Sequence, residues 1–328
     1  MSRALPAFLV ALVVATPTPA LAWSDHDLLT REILRSNTWL NQYRNIKVKK
    51  WAYDTVDKGP YNPDFQPVFI DKLEGDTTNA REILIRYVDE PDWGMDDQMN
   101  LSPFQMLIGG SKGFRHQRYQ FFNGLIRLGD APTRAKANYE LAKLAFRNKD
   151  PYWGFRYLAR SLHYMEDLGQ PFHTFPILWH WIWDCGFSLK AITNLASNEH
   201  FYYEAFVTKQ LLKQEEHGGG QWLDAIHDAE AADVFDPAAA TEALGNYSYE
   251  RTSKLIDACD HFFPKRVRSK KKIVPLRQED LDPAEPPPSF GTINEITTLQ
   301  LHVTSKMVRG LLALAKRDAM VVPKSEDE

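Results

Sequence analysis

The chain reads as an all-α protein, a single multi-helix domain, and three observations predict this. Apolar residues recur at helical spacing through most of its 328 residues. Two Asp–Pro pairs, Asp150–Pro151 and Asp236–Pro237, stand where helices begin, with the carboxylate as N-cap and the proline at the first helical position. Strand patterns are almost absent, a weak "KKIVPL" apart.

The elements follow in order. Residues 1–22 have the form of a signal peptide: Arg3 is the positive charge, Ala4 to Ala15 an apolar run too short to span a bilayer, and Ala20-Leu21-Ala22 a small-x-small cleavage site. Cleavage there makes Trp23 the mature N-terminus and predicts export to the periplasm or the medium. The first helix opens at "SDHDLLTREILRS", where Ser24 and Asp27 have the spacing of a capping box. "NAREILIRYVDE" places Ile83, Leu84, Tyr87 and Val88 on one helical face. "APTRAKANYELAKLAFRNK" does the same with Tyr139, Leu141, Leu144 and Ala145. The Asp–Pro starts open "DPYWGFRYLARSLHYMED" and a long run ending near Phe263. "DKGPYNPDFQP", "GGSKG" and "HGGGQ" are loops, and "KRVRSKKK" is a solvated charge run able to touch anionic lipid. The partition is a catalytic helical domain over 23–276, a Pro-rich connector over 277–291 and a C-terminal helix with its tail over 292–328. That last helix is expected from about Ile293 to Ala315.

Removing 22 residues from 328 leaves 306, enough to bury a sizeable core, and losing Arg3 takes the net charge from −4 to −5. Mild acidity argues against a general nucleic-acid-binding surface. Nothing after the leader is long and apolar enough to cross a membrane. Cys185 and Cys259 are the only cysteines; their spacing matches no zinc motif, and export permits a disulfide or two buried thiols.

Chemistry concentrates in "SLHYMEDLGQPFHTF". His163 and Asp167 stand at i and i+4, one above the other on a helix, Gly169 and Pro171 end that helix, and His173 follows the stop. A second such pair, His200 and Glu204, lies in "SNEHFYYEAF". Imidazoles and carboxylates in this pattern are metal-ligand types. Trp23 would add a free amine and a carbonyl, His26 follows three residues on, and upstream stand Asp89 in "RYVDEPDWGMDD" and His116 in "GGSKGFRHQRY".

Together, the mature N-terminal tryptophan, "LHYMEDLGQPFH" and "EHFYYEAF" resemble the zinc-dependent phospholipase C and S1/P1 nuclease superfamily. The resemblance implies an all-helical fold and three Zn2+ ions, two at the minimum. It implies Asp89, His116, His163 and Asp167 on the first ion, and His173, His200 and Glu204 on the second. Trp23 and His26 would share the third with Asp167, which then bridges two ions. Asp92, Asp96 and Asp97 compete with Asp89, which ends an apolar helical run as in the family and is also expected to orient or deprotonate the attacking water. His180, His217, His227, His261 and His302 match no ligand position.

The expected reaction is phosphodiester hydrolysis by a metal-bound hydroxide, since zinc lowers the pKa of bound water from ~15.7 towards neutrality. By resemblance, glutamate at 204 points to a phospholipase C acting on phospholipid; the nuclease branch usually has aspartate there, after a Gly-Gly-Asn segment that is absent. Trp179, Trp181 and Trp183 would suit contact with a lipid interface, where indole is favoured, and equally suit a core. The alternatives are a single-strand nuclease or 3′-nucleotidase, with the same aromatics stacking bases, and a secreted zinc-binding protein without activity, which should lack ligands.

Overall fold

The computed structural model describes residues 26–51, 67–73, 75–95, 97–122, 124–175, 185–186, 188–283, 285 and 287–319. The leader, Trp23, Ser24, Asp96, His180, the three tryptophans at 179, 181 and 183, and the tail from 320 lie outside them.

The described residues form α1 (His26–Leu34), α2 (Ala80–Tyr87), α3 (Gly110–His116), α4 (Ala131–Arg147), α5 (Pro151–Gly169), α6 (Leu189–Glu216), α7 (Gln221–His227), α8 (Pro237–Phe262) and α9 (Ser289–Ala319). The fold of the described residues is all-α, with two minor antiparallel strand pairs, β1 (Ile46–Lys47) with β2 (Thr77–Thr78) and β3 (Tyr119–Phe121) with β4 (Ile126–Leu128). The capping logic holds where it is described. Asn79 accepts from Glu82 N at 2.9 Å, Asp150 from Trp153 N at 3.3 Å and Asp236 from Ala239 N at 3.0 Å.

Helix α5 is the centre. It packs against α2, α4, α8 and α9, and every residue from Tyr152 to Gly169 is buried. A helix buried all round is normally apolar all round, yet α5 carries Arg156, Arg160, His163, Glu166 and Asp167. Each charge therefore needs a buried partner. Glu90 serves two of them: its Oε2 accepts from Arg156 Nε at 3.1 Å and Arg160 Nε at 2.7 Å. The Arg156 guanidinium also lies 3.9 Å from the Tyr87 ring centre. These contacts fasten the 3₁₀ turn Glu90–Trp93 to the flank of α5, which aims the next carboxylate, Asp92.

Gly169 stops α5 differently from a left-handed cap. A Cβ there would sit 2.1 Å from Thr304 Oγ1, so the glycine lets α5 and α9 approach closely. Helix α9 starts at Ser289, inside the expected connector, because Pro288 immediately before it needs no N–H there. Ile293, Ile296, Leu301, Val308, Leu311 and Leu312 belong to the same core cluster as Leu28 and Tyr152. "KKIVPL" is not a strand. Its backbone bonds go to α6 side chains: Val274 N donates to Asn198 Oδ1 at 2.8 Å, and Tyr202 Oη to Pro275 O at 2.7 Å. Cys185 and Cys259 are both buried and are not bridged to each other.

Candidate metal centre

Three groups of ligand-type atoms converge among the described residues: His26, His163 and Asp167; Asp92, His116 and His163; and His173, His200 and Glu204. In each group the atoms lie within 4.8 Å of one another. Helix α5 supplies His163 and Asp167 from adjacent turns, as the i, i+4 spacing predicted, and α6 supplies His200 and Glu204 likewise. His116 is the last residue of α3, and His173 ends the 3₁₀ turn Pro171–His173. His26 opens α1.

Asp167 is the hub. One carboxylate oxygen stands 2.9 Å from His116 Nδ1 and 3.4 Å from His163 Nε2; the other stands 3.4 Å from His173 Nδ1 and 3.6 Å from His26 Nε2. Two differently directed oxygens let one carboxylate serve two ions.

The third group is the tightest. His173 Nε2 faces His200 Nε2 at 3.1 Å, His200 Nε2 faces Glu204 Oε1 at 2.8 Å, and the third side is 3.7 Å. Ligand atoms around a tetrahedral zinc stand ~3.4 Å apart, given bonds of ~2.0–2.2 Å, so these spacings fit an ion. His173 Nδ1 donates to the His116 carbonyl at 2.9 Å, so in the neutral ring Nδ1 carries the proton and Nε2 presents its lone pair.

The expected Asp89 is not in these groups. Asp92 takes its place, 3.8 Å from His116 Nε2 and 3.9 Å from His163 Nε2. Asp89 precedes the 3₁₀ turn and borders a separate cleft with Lys72, Glu82, Arg86 and Trp93. The reason is the turn itself: pinned by Glu90 to α5, it carries the chain inward, so the residue three positions on reaches the histidines. Asp97 is largely exposed and pairs with Arg115 at 3.3 Å.

Two further residues were not anticipated. Glu166 Oε2 lies 2.8 Å from His26 Nδ1, and Glu166 Oε1 accepts from Thr30 Oγ1 at 2.7 Å. An acid directly beside a ligand on a wholly buried helix is the signal that would have singled out Glu166. The histidines outside the pattern have ordinary roles: His217, His261 and His302 bond backbone carbonyls, and His227 pairs with Glu32 at 2.9 Å.

Six ligand-type atoms in the centre have no hydrogen-bond partner although they are buried: His26 Nε2, Asp92 Oδ1, His116 Nε2, His163 Nδ1, Asp167 Oδ1 and Glu204 Oε2. Buried polar atoms are normally satisfied, and orphaning them costs ~1–3 kcal/mol each. Unpartnered donor atoms gathered on residues whose ligand atoms converge are what a cation-binding set needs, so these residues fit a metal. Electrostatics separates the imidazoles: burial lowers all four of His26, His116, His163 and His173, but Asp167 and Glu166 outweigh it at His26, and Asp167 and Glu204 at His173, so without a cation these two are raised. Burial pulls His116 down to about 4 and His163 well below its ordinary value, keeping both neutral and able to ligate. Burial would raise Asp167, but the surrounding imidazoles of His163, His116 and His173 hold it well below the usual carboxylate range. Burial also opposes the charged form of Glu204, and His200 and His173 outweigh it and lower its pKa. Asp92, lacking such compensation, is pushed up to about 7, chiefly by burial and then by Asp167.

No protein-family model and no curated protein matches this chain. The reading of the centre rests on its geometry.

Proposed function

We propose that this protein is an exported zinc-dependent phosphodiester hydrolase, a phospholipase C of the type its sequence resembles, acting on phospholipid. One observation carries the reading: three sets of converging imidazoles and carboxylates, two of which share His163, in which six buried ligand-type atoms have no hydrogen-bond partner. By the resemblance the metal is zinc and the mature Trp23 amine and carbonyl complete the set.

Asp92, His116, His163 and Asp167 would hold one ion, His173, His200 and Glu204 another, and His26 with Asp167 the third. When bound, zinc lowers the pKa of water towards neutrality and stabilises negative charge on a phosphoryl group. The chain's own residues do the rest. His116 and His163 stay neutral through burial and so remain lone-pair donors. The carbonyl of His116 fixes the tautomer of His173. Asp92, 3.8 Å from His116 Nε2 and 3.9 Å from His163 Nε2, takes in this reading the place expected of Asp89, beside the ion and the water it would orient. Lipid as substrate is supported by the β3–β4 hairpin. Arg118 N, just before its first strand, donates to His173 O and Gln120 N within it to Thr174 O, and Phe122, Leu125 and Ile126 are exposed about its tip.

The test is the mature protein, loaded with zinc, assayed in parallel on phosphatidylcholine vesicles and on single-stranded DNA, before and after chelation. Release of a phosphorylated headgroup that chelator abolishes is expected. Cleavage of DNA alone transfers the site to the nuclease branch, and hydrolysis of neither, with zinc bound, leaves a zinc-binding protein.

A further inference from the structure

We infer that Glu166 is the positioning residue of the His26 arm: it holds the proton on Nδ1 of His26 so that Nε2 faces Asp167 and a cation. The inference rests on the metal-centre reading above and goes beyond its ligand set. No part of the resemblance involves Glu166.

Consecutive residues on a helix project about 100° apart. Glu166 and Asp167 are consecutive on α5, and the His26 ring stands between them: Nδ1 lies 2.8 Å from Glu166 Oε2 and Nε2 lies 3.6 Å from Asp167 Oδ1. All three side chains are fully buried, so water cannot substitute for either partner. Nδ1 meets a carboxylate at hydrogen-bond distance. Nε2 meets one beyond it and is left without a hydrogen bond. The two nitrogens are therefore unequal. The short contact fixes a proton at Nδ1, and the long one leaves room beside Nε2.

Glu166 is itself held. Its other oxygen accepts from Thr30 Oγ1 at 2.7 Å, and Thr30 lies on α1 one turn beyond His26, also fully buried. One carboxylate thus grips α1 at i and i+4 and locks both the tautomer and the ring plane. His26 is only three residues from Trp23, so it needs an anchor that does not depend on a long stretch of preceding structure. A carboxylate behind a ligating imidazole also raises its basicity, and loss of such a partner typically costs 10–100-fold in metal affinity.

The experiment uses the mature full chain, stripped of metal and titrated with Zn2+ against a chromophoric chelator. Glu166→Gln is nearly isosteric: its carbonyl can still accept from His26 and its amide can donate to Thr30, so only the charge is lost. Wild type should bind up to three ions. The variant should bind one of them about 10–100-fold more weakly and the others unchanged. In a His26→Ala background, Glu166→Gln should change no zinc constant. Thr30→Val, which leaves the carboxylate in place, should shift affinity less than about 3-fold. Equal zinc constants in wild type and Glu166→Gln overturn the inference. If the variant does not fold, nitrogen-15 spectra of zinc-loaded wild type decide instead: a His26 ring protonated at Nδ1 and ligated at Nε2 supports it, and the opposite tautomer overturns it. Failure of wild type to bind any zinc overturns the metal-centre reading itself and is visible separately.

Discussion

Replacing Asp92 with asparagine should move stability in opposite directions with and without metal. In the metal-free protein Asp92 is raised from 3.8 to about 7, first by burial. At pH 8 the folded state must hold an ionised carboxylate that the unfolded chain ionises freely. At ~1.36 kcal/mol per pKa unit this costs on the order of 4 kcal/mol. A carboxylate with a raised folded-state pKa contributes no penalty below pH 3.8 and its full penalty above about pH 7, so metal-free wild type should lose stability as pH climbs through that window. Asp92→Asn removes the titration. A buried amide with imperfect partners returns ~1–3 kcal/mol of the gain, leaving a net stabilisation of ~1–3 kcal/mol at pH 8. At ~2.1 cal/mol/K per residue over some 300 residues, that is a rise of ~2–5 °C in Tm. With zinc the sign reverses. If the lost ligand weakens binding ~100-fold, zinc stabilises the variant by ~2.7 kcal/mol less than wild type, and the zinc-induced rise in Tm shrinks by ~4 °C. Calorimetry of both proteins at pH 8, with excess Zn2+ and with chelator, reads both effects. Asp89→Asn is the control and should leave the zinc-induced rise intact. An Asp92→Asn protein that keeps the full zinc effect, or an Asp89→Asn protein that loses it, refutes the assignment.

Three other outcomes follow from the same geometry. Asp167→Asn should cost more than ~100-fold in phosphodiester hydrolysis at saturating zinc and exceed Glu204→Gln, because Asp167 faces four imidazoles and Glu204 two; elemental analysis on both variants separates ion loss from misplacement. One extra residue before Trp23 should remove one zinc per chain while leaving the helical circular dichroism unchanged, and full zinc content in that protein would exclude the terminal amine as a ligand. Gly169→Ala should destabilise by ~1–3 kcal/mol through the clash with Thr304, and Thr304→Ala should recover most of it in a denaturation double-mutant cycle.

What could be read from the sequence divides along one physical line. The pairs His163/Asp167 and His200/Glu204 were legible because helix geometry is local: four residues apart means one face. Helix starts at Asp150 and Asp236 were legible for the same reason, since capping involves neighbours only. The choice between Asp89 and Asp92 was not. It depends on Glu90 reaching Arg156 and Arg160, some 66 and 70 residues away in the chain, and no local pattern encodes that contact. Glu166 was hidden likewise, because its partners His26 and Thr30 come from a helix 140 and 136 residues earlier. The β3–β4 hairpin was missed because its strands are three residues each, too short for an alternating pattern.

Helix α5 suggests why these long-range choices gather in one place. A wholly buried helix with five ionisable side chains is expensive unless every charge is met. Arg156 and Arg160 are met by Glu90, and Glu166 by Thr30 and His26. Asp167 alone is surrounded by imidazoles in excess of what one carboxylate needs, while His163, His116 and His26 each keep a nitrogen unpartnered. Protein groups thus balance the N-terminal half of the helix, while beside Asp167 three buried imidazole nitrogens are left without a partner. A cation held by those atoms would supply the partner they lack, and the stability of the central helix would then depend on occupancy of the site.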